Sequence, residues 1–491
     1  MSGYILSIDQ GTSGTNAAIY DRELKFVSRG YSELDCAYPK SGWVEQDPEA
    51  LWKSTLKAIS SALENASVNP KDIISIGITN QRETTILWDT ETSKPVYEAI
   101  VWQCRRSADI CTELKNNNLE EEFHLKTGLL LDPYFSGTKI KWILDYNGLH
   151  QRARSRGIKF GTVDTWLIHK LTGGKQHVTD TTNASRTLLM NLETLQWDKD
   201  LCNHLNIPME ILPEIKPSAG IFGYTSGCDI LPDGIPISGV IGDQQSALFG
   251  QGAFRFGEAK CTYGTGSFLM MNIGEKPSFN SHGILTTVGW SIGDKTVYAL
   301  EGSAFVAGAA VQWLRDGLKL ISTASEIESL ALTVSDSGGV FFVPALTGLG
   351  APYWKTDARG MFWGITRGTK QGHFARAVLE GIALQNLALL KLMEETAGEK
   401  ISMLKVDGGA AANNVLMQFQ SDILETPLFR PANLESTAFG AAAMSAIGVE
   451  LCNGVDEIAK NIIEEKIFYP SMDKESVIHY TNFWEEMVKK V

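Results

Sequence analysis

The stretch YILSIDQGTSGTNAAIYD, residues 4–21, decides how the rest of the chain is read. Tyr4–Ile8 is an apolar run of buried-strand length, Gly11 to Thr15 has turn composition, and Ala17 to Tyr20 reads as a second strand ending at Asp21. This is a strand–turn–strand hairpin. The Walker pattern GxxxxGK[ST], which opens a helix, occurs nowhere in the chain. A hairpin tip of glycines and hydroxyls still suits a phosphate, because glycines let backbone N–H groups converge on an anion and Thr or Ser adds donors. On this stretch alone, an ordinary tight turn explains the residues equally well.

The device returns at Lys260–Ser267, KCTYGTGS, followed by the apolar segment Phe268–Met271. Each half also carries a later unit of apolar strand, Asp and helix start: IPISGVIGDQQSALFG at 235–250, and LKVDGGAAANN at 404–414. The pairing predicts an internal duplication with a ligand held between the copies, the boundary near residue 250, and two domains, 1–250 and 251–491. Helical spacing at Pro48–Leu63, a strand at Ile73–Ile78, a long buried helix over Gly372–Glu395 and a Gly-rich loop at 338–350 complete an alternating α/β pattern.

A chain of 491 residues exceeds what one hydrophobic core usually supports, and 43% apolar with 21% charged residues is an ordinary globular composition. Net charge −13, with both signs interspersed, argues against a nucleic-acid partner. The opening MSGYILSIDQGT lacks a basic n-region and predicts no signal peptide, and no run approaches the roughly 18 apolar residues of a membrane span. Seven scattered cysteines without a CxxC pair read as reduced thiols of a cytoplasmic protein, and eight dispersed histidines give no zinc spacing.

Several residues admit two readings. Asp9, at the end of the first strand, is turn chemistry or a carboxylate reaching Mg²⁺ through water. Asp243 is a helix N-cap, or the general base that takes a hydroxyl proton during phosphoryl transfer. Arg82 and Glu83 are a solvated surface pair, or the donor and acceptor of a polyol pocket walled by the aromatic faces of Trp102 and Phe268.

Further stretches carry a resemblance: NQRETTILWD (80–89), AIVWQCRR (99–106), TGLLLDPYFSGTKIKW (127–142), NASRTLLMNL (183–192), IGDQQSALFGQ (241–251), YGTGSFLMMN (263–272), ALEGSAFVAGAAVQWLRD (299–316), FVPALTGLGAPYW (342–354) and VDGGAAANN (406–414). With the first hairpin they resemble the FGGY carbohydrate kinases of the actin/hexokinase/Hsp70-like ATPase superfamily, and VWQCRR, DPYFSGTK and GDQQ resemble its glycerol-phosphorylating branch. The resemblance spans essentially the whole chain. It implies two actin-like (ribonuclease H-like) domains with an interdomain catalytic cleft, and transfer from MgATP to glycerol giving sn-glycerol 3-phosphate. It also implies a homodimer or homotetramer.

By the same resemblance, Arg82, Glu83, Trp102, Tyr134, Asp243, Gln244 and Phe268 line the glycerol pocket, with Asp243 the catalytic base. Thr12, Ser13 and Gly14 hold phosphates, Thr265, Gly308, Gln312, Gly409 and Asn413 hold the nucleotide, and Asp9 with Asp243 places Mg²⁺. Two departures stand out. Asn16 occupies the position where the family's DQGTTSSRA pattern has an arginine beside the nucleotide phosphates. The segment 223–235, GYTSGCDILPDGI, has no Lys, Arg or His where some relatives bind fructose 1,6-bisphosphate and others carry a phosphorylated histidine, so both controls are expected to be absent. A related kinase for erythritol, xylulose or gluconate is the nearest alternative, and a non-catalytic nucleotide-binding regulator a remoter one.

Overall fold

The computed structural model describes residues 3–279, 283–355, 357–432 and 435–491. The first hairpin forms as read, Tyr4–Gln10 pairing antiparallel with Gly14–Asp21 and Asp9 directly opposite Asn16. Its tip is closed by Gly11 N–H donating to the Gly14 carbonyl at 2.9 Å. A Cβ on Gly14 would lie 2.5 Å from Tyr31 Oη, so only glycine fits beneath that ring. The strand Phe26–Glu33 completes a three-stranded meander, on which the helix Pro48–Ala66 packs. Asp47 caps that helix by accepting from Glu49 N–H, and Pro48 opens it where no N–H is needed.

Among the described residues, thirteen strands join in one sheet. In the first half the order across it is Pro236–Gly242, Ile73–Asn80, Tyr4–Gln10, Gly14–Asp21, Phe26–Glu33. In the second half it is Leu428–Pro431, Met403–Asp407, Glu258–Tyr263, Ser267–Asn272, Lys295–Ala304. Counting these five strands alone, each half runs fifth, fourth, first, second, third in chain order. In both, the first three strands are antiparallel neighbours and the last two are added parallel. The strands Ala219–Tyr224 and Leu285–Ile292 join the halves through one pair, Ala219 with Ile292. The duplicated α/β architecture expected from the hairpins is present.

One detail of the sequence matching is corrected by this order. The sequence pattern pairs the unit at 235–250 with that at 404–414, yet among these five strands Pro236–Gly242 is the fifth of its half and Met403–Asp407 the fourth of the other. The counterpart of Met403–Asp407 is Ile73–Asn80, so Asp407 matches the end of the strand before Arg82, not Asp243. Both fourth and fifth strands are apolar and parallel and lead into turns or helices, so their local patterns are interchangeable. Pairing to the first strand alone tells them apart.

The helix Ser436–Gly448 (STAFGAAAMSAIG) belongs by sequence to the second half but packs on Tyr4–Gln10, Ile73–Asn80 and Pro236–Gly242 of the first. Its small side chains permit very close approach. A Cβ on Gly77 would fall 2.1 Å from the Ala441 carbonyl oxygen, and one on Gly440 2.1 Å from that of Ser246. Ser7 Oγ donates to the Ala438 carbonyl and Ser246 Oγ to that of Thr437, each at 2.7 Å. The long buried helix extends over Gln371–Ala397. The 338–350 segment, expected to be loop, contains the short strand Phe341–Val343, which finds its partner in Met361–Trp363. Among the described residues no helix is long and apolar enough to cross a membrane.

Candidate active site

Arg82 and Glu83 follow the strand Ile73–Asn80, and the structure rejects their reading as a solvated surface pair: they are 2% and 1% exposed. Glu83 sits at φ 61°, left-handed backbone that a non-glycine residue adopts only when its surroundings impose it. The turn is held by Thr84 N–H donating to the Arg82 carbonyl, and by Ser136 Oγ donating to that of Glu83 at 3.0 Å. The strained turn aims both side chains into the junction of the halves.

Arg82 is the hub. Its Nε lies 3.2 Å from Asp243 Oδ1, and Nη1 donates to Gln245 Oε1 at 3.1 Å. Nη2 lies 3.4 Å from the Tyr134 hydroxyl. Both terminal nitrogens donate to Glu301, at 2.6 and 2.9 Å. A second buried guanidinium, Arg186, donates to Glu83 through Nε at 2.6 Å and to Glu301 through Nη2 at 3.0 Å. Two cations thus interleave with three carboxylates. Burial alone would raise the Glu301 carboxyl, but the two guanidiniums hold it down at about 2.

Asp243 is the first residue of the helix Asp243–Gly250, with Gly242 in the cap position, so the N-cap reading is not realised. Its Oδ1 accepts from Gln244 N–H at 2.7 Å, and its side chain is 30% accessible. Burial, with Glu83 nearby, raises its pKa to about 6 against the pull of Arg82. Asp9 is raised to about 8 by burial and by the charges of Asp243 and Glu435. Two carboxylates in a low-dielectric junction, the charge of Asp243 adding to the burial that raises Asp9, form a donor set suited to a hard cation. Among the described residues no group of three or more His, Cys, Asp or Glu converges as metal ligands. Two carboxylates are what Mg²⁺ commonly takes from protein when phosphates and water complete its shell.

Aromatic side chains border this charge cluster. Trp102 Nε1 donates to Thr12 Oγ1 at 2.9 Å, tying the wall to the first hairpin tip. Trp102 and Tyr134 meet edge to face at 5.6 Å, and Arg186 lies over the Tyr134 ring. Phe268 stands on the strand Ser267–Asn272 of the second half, opposite Ser303. Gln244 Oε1 accepts from the buried Lys260 Nζ, which also donates to Thr262 Oγ1 at 3.0 Å.

The second hairpin tip, Gly264 to Gly266, rests on the start of the helix Gly308–Asp316. Gly308 N–H donates to the Gly264 carbonyl at 3.0 Å and Ala309 N–H to that of Thr265 at 3.0 Å. A Cβ on Gly308 would meet the Gly264 oxygen at 2.6 Å, so that contact requires glycine. Gln312 is exposed on the same helix. Gly409 has open space where a Cβ would be, and the Asn413 side chain caps Asn414–Leu424 by accepting from Leu416 N–H at 2.9 Å. Ser13 is exposed, Thr12 and Asn16 are half-buried.

Arg186, Glu301, Gln245 and Lys260 were missed as site residues. Each lay in or beside a motif already quoted, but a lone Arg or Glu in an apolar stretch carries no local signal of its partner. Glu301 is 219 positions from Arg82. The short helix Thr181–Ala184 that delivers Arg186 is capped by Asp180 and tied to the substrate-side turn by paired Asn80 and Asn183 amides. A surface depression lined by Asp336, Phe341, Asp473, His479 and Tyr480 shares none of these residues.

Residues 4–250 match the N-terminal domain of the FGGY family of carbohydrate kinases, and residues 259–449 its C-terminal domain. Glycerol kinase 2 of Thermotoga maritima is 52% identical over 488 residues, covering 99% of this chain and 98% of its own length. The glycerol kinase of Myxococcus xanthus is 51% identical over 490 residues, 99% of both chains. The crystal structure of Plasmodium falciparum glycerol kinase with ADP superposes with a TM-score of 0.95 at 39% identity, covering 100% of this chain and 98% of that one. A gluconate kinase from Lactobacillus acidophilus shares the fold, with a TM-score of 0.88 at 23% identity over 100% of this chain and 97% of its own. The duplicated sheet, the twin hairpins and these full-length matches lead to one conclusion: the chain belongs to the FGGY family of carbohydrate kinases.

Proposed function

We propose that this protein transfers the γ-phosphoryl group of MgATP to a terminal hydroxyl of glycerol, giving sn-glycerol 3-phosphate and ADP. The observation that carries the reading is the half-open Asp243 carboxylate, 3.2 Å from Arg82 Nε, over a buried floor of alternating charge walled by aromatic rings. Identity of about half the chain to glycerol kinases supports glycerol as the acceptor. The boundary between halves near residue 250, a cytoplasmic location and a homodimer or homotetramer belong to the same reading.

In this mechanism Arg82 donates to one substrate hydroxyl while Glu83 and Gln244 complete the polar contacts. Trp102, Tyr134 and Phe268 cover the C–H face of the polyol. Asp243 accepts the proton of the attacking hydroxyl, and its raised pKa makes it a better proton acceptor than an exposed aspartate. Thr12, Ser13, Gly14 and Asn16 face the phosphates from the first half, and Thr265, Gly308, Gln312, Gly409 and Asn413 hold the nucleotide from the second. Asp9 and Asp243 would hold Mg²⁺ through water, and the cation would supply neutralisation of phosphate charge. Closure of the halves removes water, which otherwise competes for the phosphoryl group.

Asn16 is the feature that favours testing other acceptors, since it sits opposite Asp9 where a cation is expected. A coupled ADP-release assay with glycerol, dihydroxyacetone, erythritol, xylulose and gluconate decides. A kcat/KM preference for glycerol of about tenfold or more, roughly 1.4 kcal/mol, supports the proposal. Preference for another polyol keeps the mechanism and replaces the substrate, and absence of turnover with all of them overturns the enzyme reading.

A further inference from the structure

Glu301 stands in the strand Lys295–Ala304 of the second half, yet its carboxylate is spent on two arginines of the first. In the antiparallel register Glu301 lies opposite Met270 and Ser303 opposite Phe268. Facing residues share a side of the sheet, as do residues two apart, so Glu301 and Phe268 project from the same face. Lys260, also opposite Met270, shares that face, so the second half turns an aromatic, an anionic and a cationic side chain to the same side of the sheet.

The geometry at Glu301 is that of a fork. Oε2 accepts from Arg82 Nη1 at 2.6 Å, and Oε1 accepts from Arg82 Nη2 at 2.9 Å and from Arg186 Nη2 at 3.0 Å. Paired planar groups of this kind fix orientation as well as distance. With its two ends held by Glu301, Arg82 has its Nε turned to Asp243 and one edge turned to the Tyr134 hydroxyl. Without Glu301 the nearest carboxylates are Glu83 and Asp243, and the guanidinium would swing towards them, away from the acceptor.

We propose that Glu301 is a positioning residue: it sets the Arg82 guanidinium from across the junction, so that affinity for the polyol acceptor requires the second half to be docked. Arg186 acts one step further out, holding Glu301 while bonding Glu83, so both polar groups assigned to the acceptor are oriented through one chain of contacts. The proposal rests on Arg82 being the acceptor-binding arginine of the reading above.

The test is the kinetics of E301Q, which keeps shape and one acceptor oxygen but loses the charge. KM for glycerol should rise about tenfold or more, while KM for MgATP stays within about twofold. R186K, a milder change that retains charge, should raise glycerol KM about threefold, again without affecting MgATP; it serves if E301Q does not fold. A folded E301Q or R186K with unchanged glycerol KM overturns the proposal, and so does an equal rise in both KM values, which is the mark of a merely structural role. If the parent enzyme prefers another polyol, the same split is read with that polyol; if it turns nothing over, glycerol binding is read by titration calorimetry. Failure of the substrate assignment is therefore distinguishable from failure of the role given to Glu301.

Discussion

Arg82 Nε lies 3.2 Å from Asp243 Oδ1, so the proposed base and the proposed substrate-binding arginine are ion-paired to one another. The pair comes from the ends of neighbouring parallel strands, Ile73–Asn80 and Pro236–Gly242. Such strand ends are where open α/β sheets place their ligands. The contact restrains the pKa rise that burial imposes on Asp243 and keeps the base ionised at neutral pH.

Asp243→Asn keeps size and removes the proton acceptor. We expect kcat to fall by about 10²–10⁴, the range for loss of a general base, with secondary structure unchanged by circular dichroism. Turnover equal to that of the parent would remove Asp243 from the mechanism.

Proton uptake by Asp243 sets an acid limb. With its pKa raised to about 6 by burial, kcat/KM should decline as pH falls through about 6, because the protonated carboxyl accepts nothing. A profile flat down to pH of about 4.5 would contradict this.

Asp9 gives a stability signature of opposite use. Its folded carboxyl holds a proton up to about pH 8, against an ordinary value of 3.8, so its stabilising contribution is full below 3.8 and lost as pH rises through about 8. Without Mg²⁺, Asp9→Asn should therefore raise Tm near pH 8, by roughly 1–4 °C, while lowering activity. An unchanged or lowered Tm under those conditions would show that the carboxylate is not strained.

Arg82→Gln leaves Glu301, Glu83 and Asp243 with one guanidinium among them. Stripping a partner from buried charges costs about 3–5 kcal/mol, so the urea midpoint should drop sharply along with activity. A variant that unfolds at the parent's midpoint would mean that the network is more hydrated than its burial indicates.

Fructose 1,6-bisphosphate should leave activity unchanged. The 223–235 segment carries Asp229 and Asp233, with Asp233 accepting from Gly227 N–H at 2.7 Å. Lys175 reaches it, its Nζ donating to Ser226 Oγ at 2.8 Å. A segment with two aspartates and no Lys, Arg or His of its own is poorly suited to a bisphosphate. A reversible drop in activity on adding the bisphosphate would refute the expectation.

The sequence by itself determined the elements whose interactions are local. A hairpin such as Tyr4–Asp21 is closed by neighbours in the chain. The helix Pro48–Ala66 carries apolar residues at helical spacing along its own length, so both were legible. Duplication followed from the repeated Gly-Thr tip, although strand position within each half did not. Only the tertiary structure decided that Arg82 and Glu83 are buried, that Ser436–Gly448 crosses to the other half, and that Arg186 and Glu301 complete the charge network. The reason is physical: an ion pair between residues 219 apart has no periodicity, turn residue or cap to betray it. Its cost and its gain both arise from desolvation, which exists only once the sheet has brought the two halves together.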